Sequence, residues 1–351
     1  MGAKTGFTGP GFAPTAVRVG RATWQLRRGN KVSISTEGTA RVPEFEPYTT
    51  IGPDALLSEA AKDLDLVEHL RELEQDGYTV VPPEKVGSAR FLHDLEAAVR
   101  ECHRRRSEAN PALMKAVGAS GAGEITPYAL WDDPIFEKAL MNPVAQTLAR
   151  ALTGHAGRLS LFGASVKPAG NAPLGLHCDT AMTEPYPIVP QFGNVTYALT
   201  DYSEENGSTI FVPGSHRLLR QPVGSEVDGM FGVTGGVAGM YAPQIPAVRP
   251  VNARAGSIIA WSGLTWHGAV PRRASGERVS LLMYFCRWYL KTQANFRDHV
   301  PLKSLERWKD HPRFAQVLDI NPVWGFAEET MHMAKGTEGR EVLPILDVGK
   351  F

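Results

Sequence analysis

The apolar positions over residues 55–75, Leu64, Leu66, Val67, Leu70 and Leu73 with acidic and basic residues between them, recur at helical spacing. They predict a helix that stops at Asp76-Gly77, and Tyr78-Thr79-Val80-Val81 then predicts a short strand ahead of Pro82-Pro83. A second helix is predicted from 89 to about 107. A third is predicted over 134–152, where Phe136, Leu140, Val144, Leu148 and Leu152 form one stripe. After Gly157 the pattern changes to short β-rich segments separated by Gly and Pro: 159–166, 194–200, 208–212, 257–261 and 278–288. Several short strands at such intervals predict a sandwich or barrel, with the helices buttressing a sheet.

Two turn-rich insertions interrupt the strands, 180–193 and 217–250, and long loops inside a compact domain usually serve a function. The second, with Gly224, Gly229, Gly232, Gly235, Gly236 and Gly239, reads as a lid over a binding site or, almost equally, as a disordered surface loop. Residues 1–53 are rich in Gly, Thr, Pro and Arg and read as an extended arm, apart from a strand at 31–35. The chain after Trp288 reads as irregular or helical packing. The fold class is therefore mainly β with flanking α-helices. The arm is followed by a single domain over 54–351, with its β core at about 157–290.

The chain has 351 residues, 43% of them hydrophobic, and a formal net charge of zero. That balance removes the electrostatic reason to expect a nucleic-acid partner and favours a small molecule. Cys102, Cys178 and Cys286 are far apart and odd in number, so neither a disulfide framework nor a zinc knot is indicated, and a reducing compartment fits. No apolar run has the length of a secretory signal core or a bilayer span, so a cytoplasmic, membrane-free protein is expected. Arg18-Val19 followed by Gln25-Leu26 loosely resembles an N-terminal peroxisomal import signal, a pattern short enough to arise often by chance.

The chemistry concentrates in Leu-Gly-Leu-His-Cys-Asp-Thr, which contains His177 and Asp179. On an extended segment residues two apart point to the same side, so the imidazole and the carboxylate form two arms of a metal clamp. Cys178, between them, points away and packs. A 2-His-1-carboxylate triad needs one distant His as well. His267 is the best placed, at the end of the apolar strand 257–261 and beside Gly268. His216, closing Pro213-Gly214-Ser215-His216, is the rival and reads as a structural residue of a turn. If residues 271–276 form a hairpin, His267 and Arg278 lie on adjacent strands, with Arg278, Ser280, Leu282 and Tyr284 sharing one face. A guanidinium beside a metal can hold a carboxylate through two parallel hydrogen bonds. Arg272 and Arg273, in the turn, read as solvated.

In order, His177-Cys178-Asp179, Asn206-Gly207-Ser208, Pro213-Gly214-Ser215-His216, His267 and Arg278 resemble the phytanoyl-CoA dioxygenase family of Fe(II)/2-oxoglutarate oxygenases. The resemblance runs over about 67–288 and includes Asp76-Gly77-Tyr78. It implies a double-stranded β-helix (jelly-roll) core with Fe(2+) held by His177, Asp179 and His267. It further implies that Arg278, assisted by Ser280, binds the far carboxylate of 2-oxoglutarate, with O2 as second cosubstrate. Lys167 matches a lysine common in the family before the HxD pair. Two features depart from the pattern. Ala269 stands where members often have Ser, and the arm and the Gly-rich insertion exceed the family's common length.

The implied reaction is oxidation, hydroxylation foremost, of an unactivated carbon in a small organic substrate, with 2-oxoglutarate decarboxylated to succinate and CO2. Desaturation, ring closure and epoxidation are its alternatives. Related halogenases replace the carboxylate ligand with a small residue, so Asp179 argues for oxygenation. A non-catalytic jelly-roll binding protein and, less well supported, a zinc hydrolase remain as other readings. Met182, Tyr186, Phe192, Met230, Phe231, Met240 and Tyr241 in the insertions hint at a mostly apolar substrate.

Overall fold

The computed structural model describes residues 18–19, 22–23, 55–112, 125–170, 173–180, 182–228, 248–311 and 313–320. Within the arm, Arg18–Val19 pairs antiparallel with Ala22–Thr23. The strand expected at 31–35 and most of the Gly-rich insertion lie outside the described residues.

The helix expected over 55–75 is two helices, α1 (Ala55–Asp63) and α2 (Val67–Gln75). Between them Asp65 is left-handed, with φ 52°. Leu66 N donates to Ala61 O at 2.7 Å and Asp65 N to Lys62 O at 3.1 Å. This nested pair satisfies carbonyls at the end of α1 and turns Leu66 fully into the core. α3 (Ala89–Ala109) follows, started by Ser88 Oγ, which accepts from Phe91 N. The stripe over 134–152 also divides, into α4 (Pro134–Leu140) and α5 (Pro143–Thr153). Asn142 Oδ1 accepts from Val144 N and Ala145 N, and Pro143 occupies the first turn, so Asn-Pro restarts the helix. Phe136, Leu140, Val144, Leu148 and Leu152 are nevertheless all buried, because the new helix keeps the phase of the old one.

In chain order the strands are β1 (Tyr78–Val81), β2 (Ile125–Pro127), β3 (Arg158–Lys167), β4 (Leu174–His177), β5 (Phe192–Ala198), β6 (Thr209–Phe211), β7 (Arg249–Pro250), β8 (Ser257–Ser262), β9 (His267–Ala269) and β10 (Arg278–Cys286). They form two antiparallel sheets, a larger one in the order β1-β8-β5-β10-β3-β2 and a smaller one in the order β4-β9-β6-β7. One face of the larger sheet, with Tyr197, Ile258, Leu281, Met283 and Phe285, shares a core with Leu95, Val99, Phe136 and Leu148 of the helices. Each such side chain contributes about 1.5–3 kcal/mol by leaving water. The opposite face meets the smaller sheet, where Tyr78 stacks on Phe211 with ring centroids 4.3 Å apart and Ile259 and Trp261 join the same cluster.

His267 and Arg278 are not on adjacent strands, contrary to the hairpin expectation. β9 pairs on both edges within the smaller sheet and β10 on both edges within the larger one, so neither has an edge free for the other. The segment between them crosses from sheet to sheet and is organised by Arg272. That residue is buried, not solvated: its guanidinium donates to the carbonyls of Ala274, Ser275 and Gly276 and to Asn206 Oδ1. Arg273 is exposed, as expected.

After β10 the chain returns to the helices. In α6 (Leu302–Trp308), Ser304 Oγ and Trp308 Nε1 donate to the buried Glu137 carboxylate at 2.6 and 2.7 Å, and Arg307 pairs with it.

Candidate metal centre

β4 ends on His177, Asp179 follows two residues later, and His267 opens the neighbouring strand β9 as the direct cross-strand partner of His177. The two imidazole centroids are 4.3 Å apart. His177 Nε2 lies 3.8 Å from Asp179 Oδ1, and His267 Nε2 lies 3.4 Å from Asp179 Oδ2. One donor atom from each of the three residues falls within 4.8 Å of the other two. The Nδ1 of His177 donates to Gly175 O at 3.0 Å, and that of His267 to Thr265 O at 2.9 Å. Both rings therefore turn an Nε2 lone pair toward the carboxylate, as metal-ligating histidines do. Burial holds the His267 imidazole below its ordinary pKa against the pull of Asp179, which keeps it neutral. Unprotonated nitrogens facing a carboxylate repel it, and a cation between them removes that repulsion. Two imidazoles and one carboxylate suit a divalent first-row metal.

Cys178 points away, as alternation requires, into a cluster with Leu176, Ile210 and Trp266, and burial pushes its thiol up to about 11. Its backbone is gripped by a residue of the second insertion. Gln221 Oε1 accepts from Cys178 N at 2.9 Å, and Gln221 Nε2 donates to Cys178 O at 2.9 Å.

Sequence reasoning missed the groups that hold Asp179. Asn194 Nδ2 donates to Asp179 Oδ2 at 2.7 Å, Trp261 Nε1 to the same oxygen at 3.3 Å, and Tyr284 OH to the Asp179 carbonyl at 2.9 Å. All three come from the larger sheet, where Asn194 is paired with both Trp261 and Tyr284. The only signal in the sequence was the placing of Tyr284 on the face of Arg278.

Arg278 lies on that face, buried, with its guanidinium carbon 4.7 Å from the Tyr202 ring centre. Its Nε and Nη1 are buried and have no hydrogen-bond partner among the described residues, as is the case for the hydroxyls of Ser165 and Thr196. Ser280 is buried in register with Ser165 and Ala198, Lys167 pairs with Arg278, and Thr196 pairs with Leu282. Alternation puts all of these on the inner face, so unsatisfied polar atoms run from the Arg278 row toward the Asn194 row. Unpaired buried donors are costly, and this set fits a ligand carrying a carboxylate.

His216 does not join the cluster. Its Nε2 donates to Glu74 O at 3.1 Å, while Gly214 N donates to Asp76 O and Thr265 Oγ1 to Gly77 O. The Pro-Gly-Ser-His turn thus ties down the carbonyl end of α2. Among the apolar and aromatic residues of the insertions, Tyr186 is buried and Phe192 stacks on Tyr284, whereas Met182 is exposed. Met230, Phe231, Met240 and Tyr241 lie outside the described residues. Among the described residues, no helix is long and apolar enough to cross a membrane.

Two antiparallel sheets, a His-Asp-His cluster at their rim and a buried guanidinium on the same inner wall define the class of the protein: a non-haem iron dioxygenase that uses 2-oxoglutarate. The chain belongs to the phytanoyl-CoA dioxygenase (PhyH) family, whose family model matches residues 73–280. Dioxygenase af480 of Aspergillus fumigatus is 27% identical over 288 residues, which cover 81% of this chain and 86% of that protein. Among solved structures, apo HygX from Streptomyces hygroscopicus is similar at 17% identity and a TM-score of 0.48, covering 64% of this chain and 88% of HygX. SnoN, a non-haem α-ketoglutarate-dependent epimerase from nogalamycin biosynthesis, is similar at 22% identity and a TM-score of 0.46, covering 64% and 84%.

Proposed function

We propose that the protein hydroxylates an unactivated carbon of a small organic substrate, with His177, Asp179 and His267 as the iron ligands. Arg278, with Ser280 beside it, holds the far carboxylate of 2-oxoglutarate. The observation that carries this reading is the pair of imidazoles whose Nδ1 atoms are committed to backbone carbonyls while both Nε2 atoms face Asp179. The Nε and Nη1 of Arg278, buried and without a hydrogen-bond partner among the described residues, supply the second requirement, a cation placed where a carboxylate would satisfy it.

The strand order supports a double-stranded β-helix within one domain. From β3 to β10 the chain alternates between the two sheets, save for the consecutive pair β6 and β7. Bound iron(II) supplies activation of O2 coupled to decarboxylation of 2-oxoglutarate, with R–H, O2 and 2-oxoglutarate converted to R–OH, succinate and CO2. The protein's own contribution is positional. His177 and His267 present fixed tautomers, Asp179 presents a carboxylate held from the larger sheet, and Arg278 orients the cosubstrate from the wall. Asp179 occupies the place that a halide would need, which favours hydroxylation over halogenation. Exposed apolar residues of the two insertions, among them Met182, Ile188, Val189 and Val223, favour a mostly apolar substrate.

Succinate release from 2-oxoglutarate with Fe(II), ascorbate and O2 tests the reading. The wild-type protein is expected to release succinate, and His177→Ala and Asp179→Ala to abolish it while remaining folded. Wild-type rates in either variant would remove that residue from the ligand set.

A further inference from the structure

We propose that Asn194 and Trp261 are positioning residues that restrict Asp179 to binding metal through Oδ1 alone. The inference rests on the ligand assignment above. It goes further in assigning roles to two residues of the opposite sheet.

Asp179 lies beyond the end of β4, on a turn that leaves its side chain partly exposed, so its own strand does not fix the carboxylate. A free carboxylate has about four lone-pair sites over two oxygens and can bind a cation through one oxygen or both. Here Oδ2 accepts from Asn194 Nδ2 at 2.7 Å and from Trp261 Nε1 at 3.3 Å, which uses both of its lone pairs. Each oxygen faces one imidazole, Oδ1 at 3.8 Å from His177 Nε2 and Oδ2 at 3.4 Å from His267 Nε2, so it is the two N–H donors on Oδ2, and not proximity, that leave Oδ1 as the oxygen with lone pairs for a cation.

The two donors stand side by side in the register of the larger sheet, Trp261 on β8 paired with Asn194 on β5. The next residue in that row is Tyr284 on β10, which fixes the Asp179 backbone through its carbonyl. One row of three strands therefore holds both the carboxylate and the main chain of a ligand delivered by the other sheet. The row is rigid, because Asn194 and Trp261 are buried in strands paired on both edges.

The consequence is a count of positions. Two imidazoles and one carboxylate oxygen would supply three donors to the metal and leave room for a chelating keto acid and O2. A second carboxylate oxygen on the metal would compete with them. Hydrogen-bonded partners of metal ligands are worth about 10–100-fold in metal affinity.

The test uses cobalt(II) as a probe whose absorption reports coordination number, followed by 2-oxoglutarate titration of the cobalt-loaded protein. Wild type, Asn194→Ala, Trp261→Phe and His177→Ala are compared at matched thermal stability. The expected result is one cobalt site in the wild type, lost in His177→Ala and weakened about 10–100-fold in Asn194→Ala. Both Asn194→Ala and Trp261→Phe should also show an altered cobalt spectrum and weaker 2-oxoglutarate binding. Trp261→Phe keeps an aromatic ring in place and carries the test if Asn194→Ala does not fold. If both variants bind cobalt and 2-oxoglutarate within twofold of wild type with unchanged spectra, the inference is overturned while the ligand assignment stands. If wild type and His177→Ala bind cobalt alike, the ligand assignment fails, and this inference with it.

Discussion

His267 Nε2 stands 3.4 Å from Asp179 Oδ2, and the imidazole proton sits on the opposite nitrogen, donated to Thr265 O. Two groups that each present lone pairs are thereby held together by a fold that has paired His267 with His177 across β9 and β4.

Cation binding should therefore stabilise the protein. Saturating manganese(II) or cobalt(II), at about 100 times the dissociation constant, adds about 2.7 kcal/mol to unfolding stability. The expected outcome in thermal melts is a rise of several degrees for wild type and none for His267→Ala. An equal rise in both would place the cation elsewhere.

Arg278 should govern the cosubstrate and not the metal. Arg278→Lys keeps the charge but loses the fork, and the loss of a charge-assisted hydrogen bond is worth about 1.5–3 kcal/mol, or roughly 10–100-fold. Titration of 2-oxoglutarate should show that weakening with metal affinity unchanged. A variant that bound 2-oxoglutarate as tightly as wild type would mean that another cation holds the diacid.

Gly77 joins the helical layer to the centre. Its φ is +81°, and an added Cβ would lie 2.4 Å from Thr265 Oγ1 and 2.6 Å from His216 Nδ1. Gly77→Ala should cost about 1–3 kcal/mol in urea unfolding through backbone strain alone, and more from the clash. Because Thr265 O accepts from His267 Nδ1, the same change should loosen metal binding. Unchanged stability and affinity would contradict the tight packing of this turn.

The strands and the same-side placing of His177 and Asp179 were legible in the sequence because both depend on local pattern: short β-rich runs, and two residues two apart on an extended segment. The breaks at Asp65 and at Asn142-Pro143 were not, because apolar spacing runs through each without losing phase. The crossover between His267 and Arg278 was hidden for a different reason. A turn-rich segment reads alike whether it closes a hairpin or changes sheets, and only the edge pairing of β9 and β10 decides. Asn194, Trp261 and Tyr284 become one row only through the register of three strands distant in sequence, and Arg272 is buried only because that crossover folds around it.

Acid should lower the stability of the protein through its buried histidines. Burial holds His216 below its ordinary pKa of about 6.5, and burial does the same to His311. Since the folded pKa is the lower one, the unfolded chain takes up protons first, and stability falls as pH drops through about 6.5 until the folded value is passed. Each histidine adds at most about 1.4 kcal/mol per pH unit to that slope. His216→Gln should make the decline between pH 7 and 5 shallower. An unchanged slope would show that His216 is protonated as easily in the folded protein as in the unfolded chain.

The most direct test of the centre is an anaerobic titration with Fe(II) and 2-oxoglutarate, followed by the charge-transfer absorption of an iron(II)·keto acid chelate. The structure predicts one such complex per chain in wild type and none in His177→Ala, Asp179→Ala or His267→Ala. Absence of the band in wild type, or its survival at full strength in any of the three variants, would contradict the assignment of His177, Asp179 and His267 as the iron site.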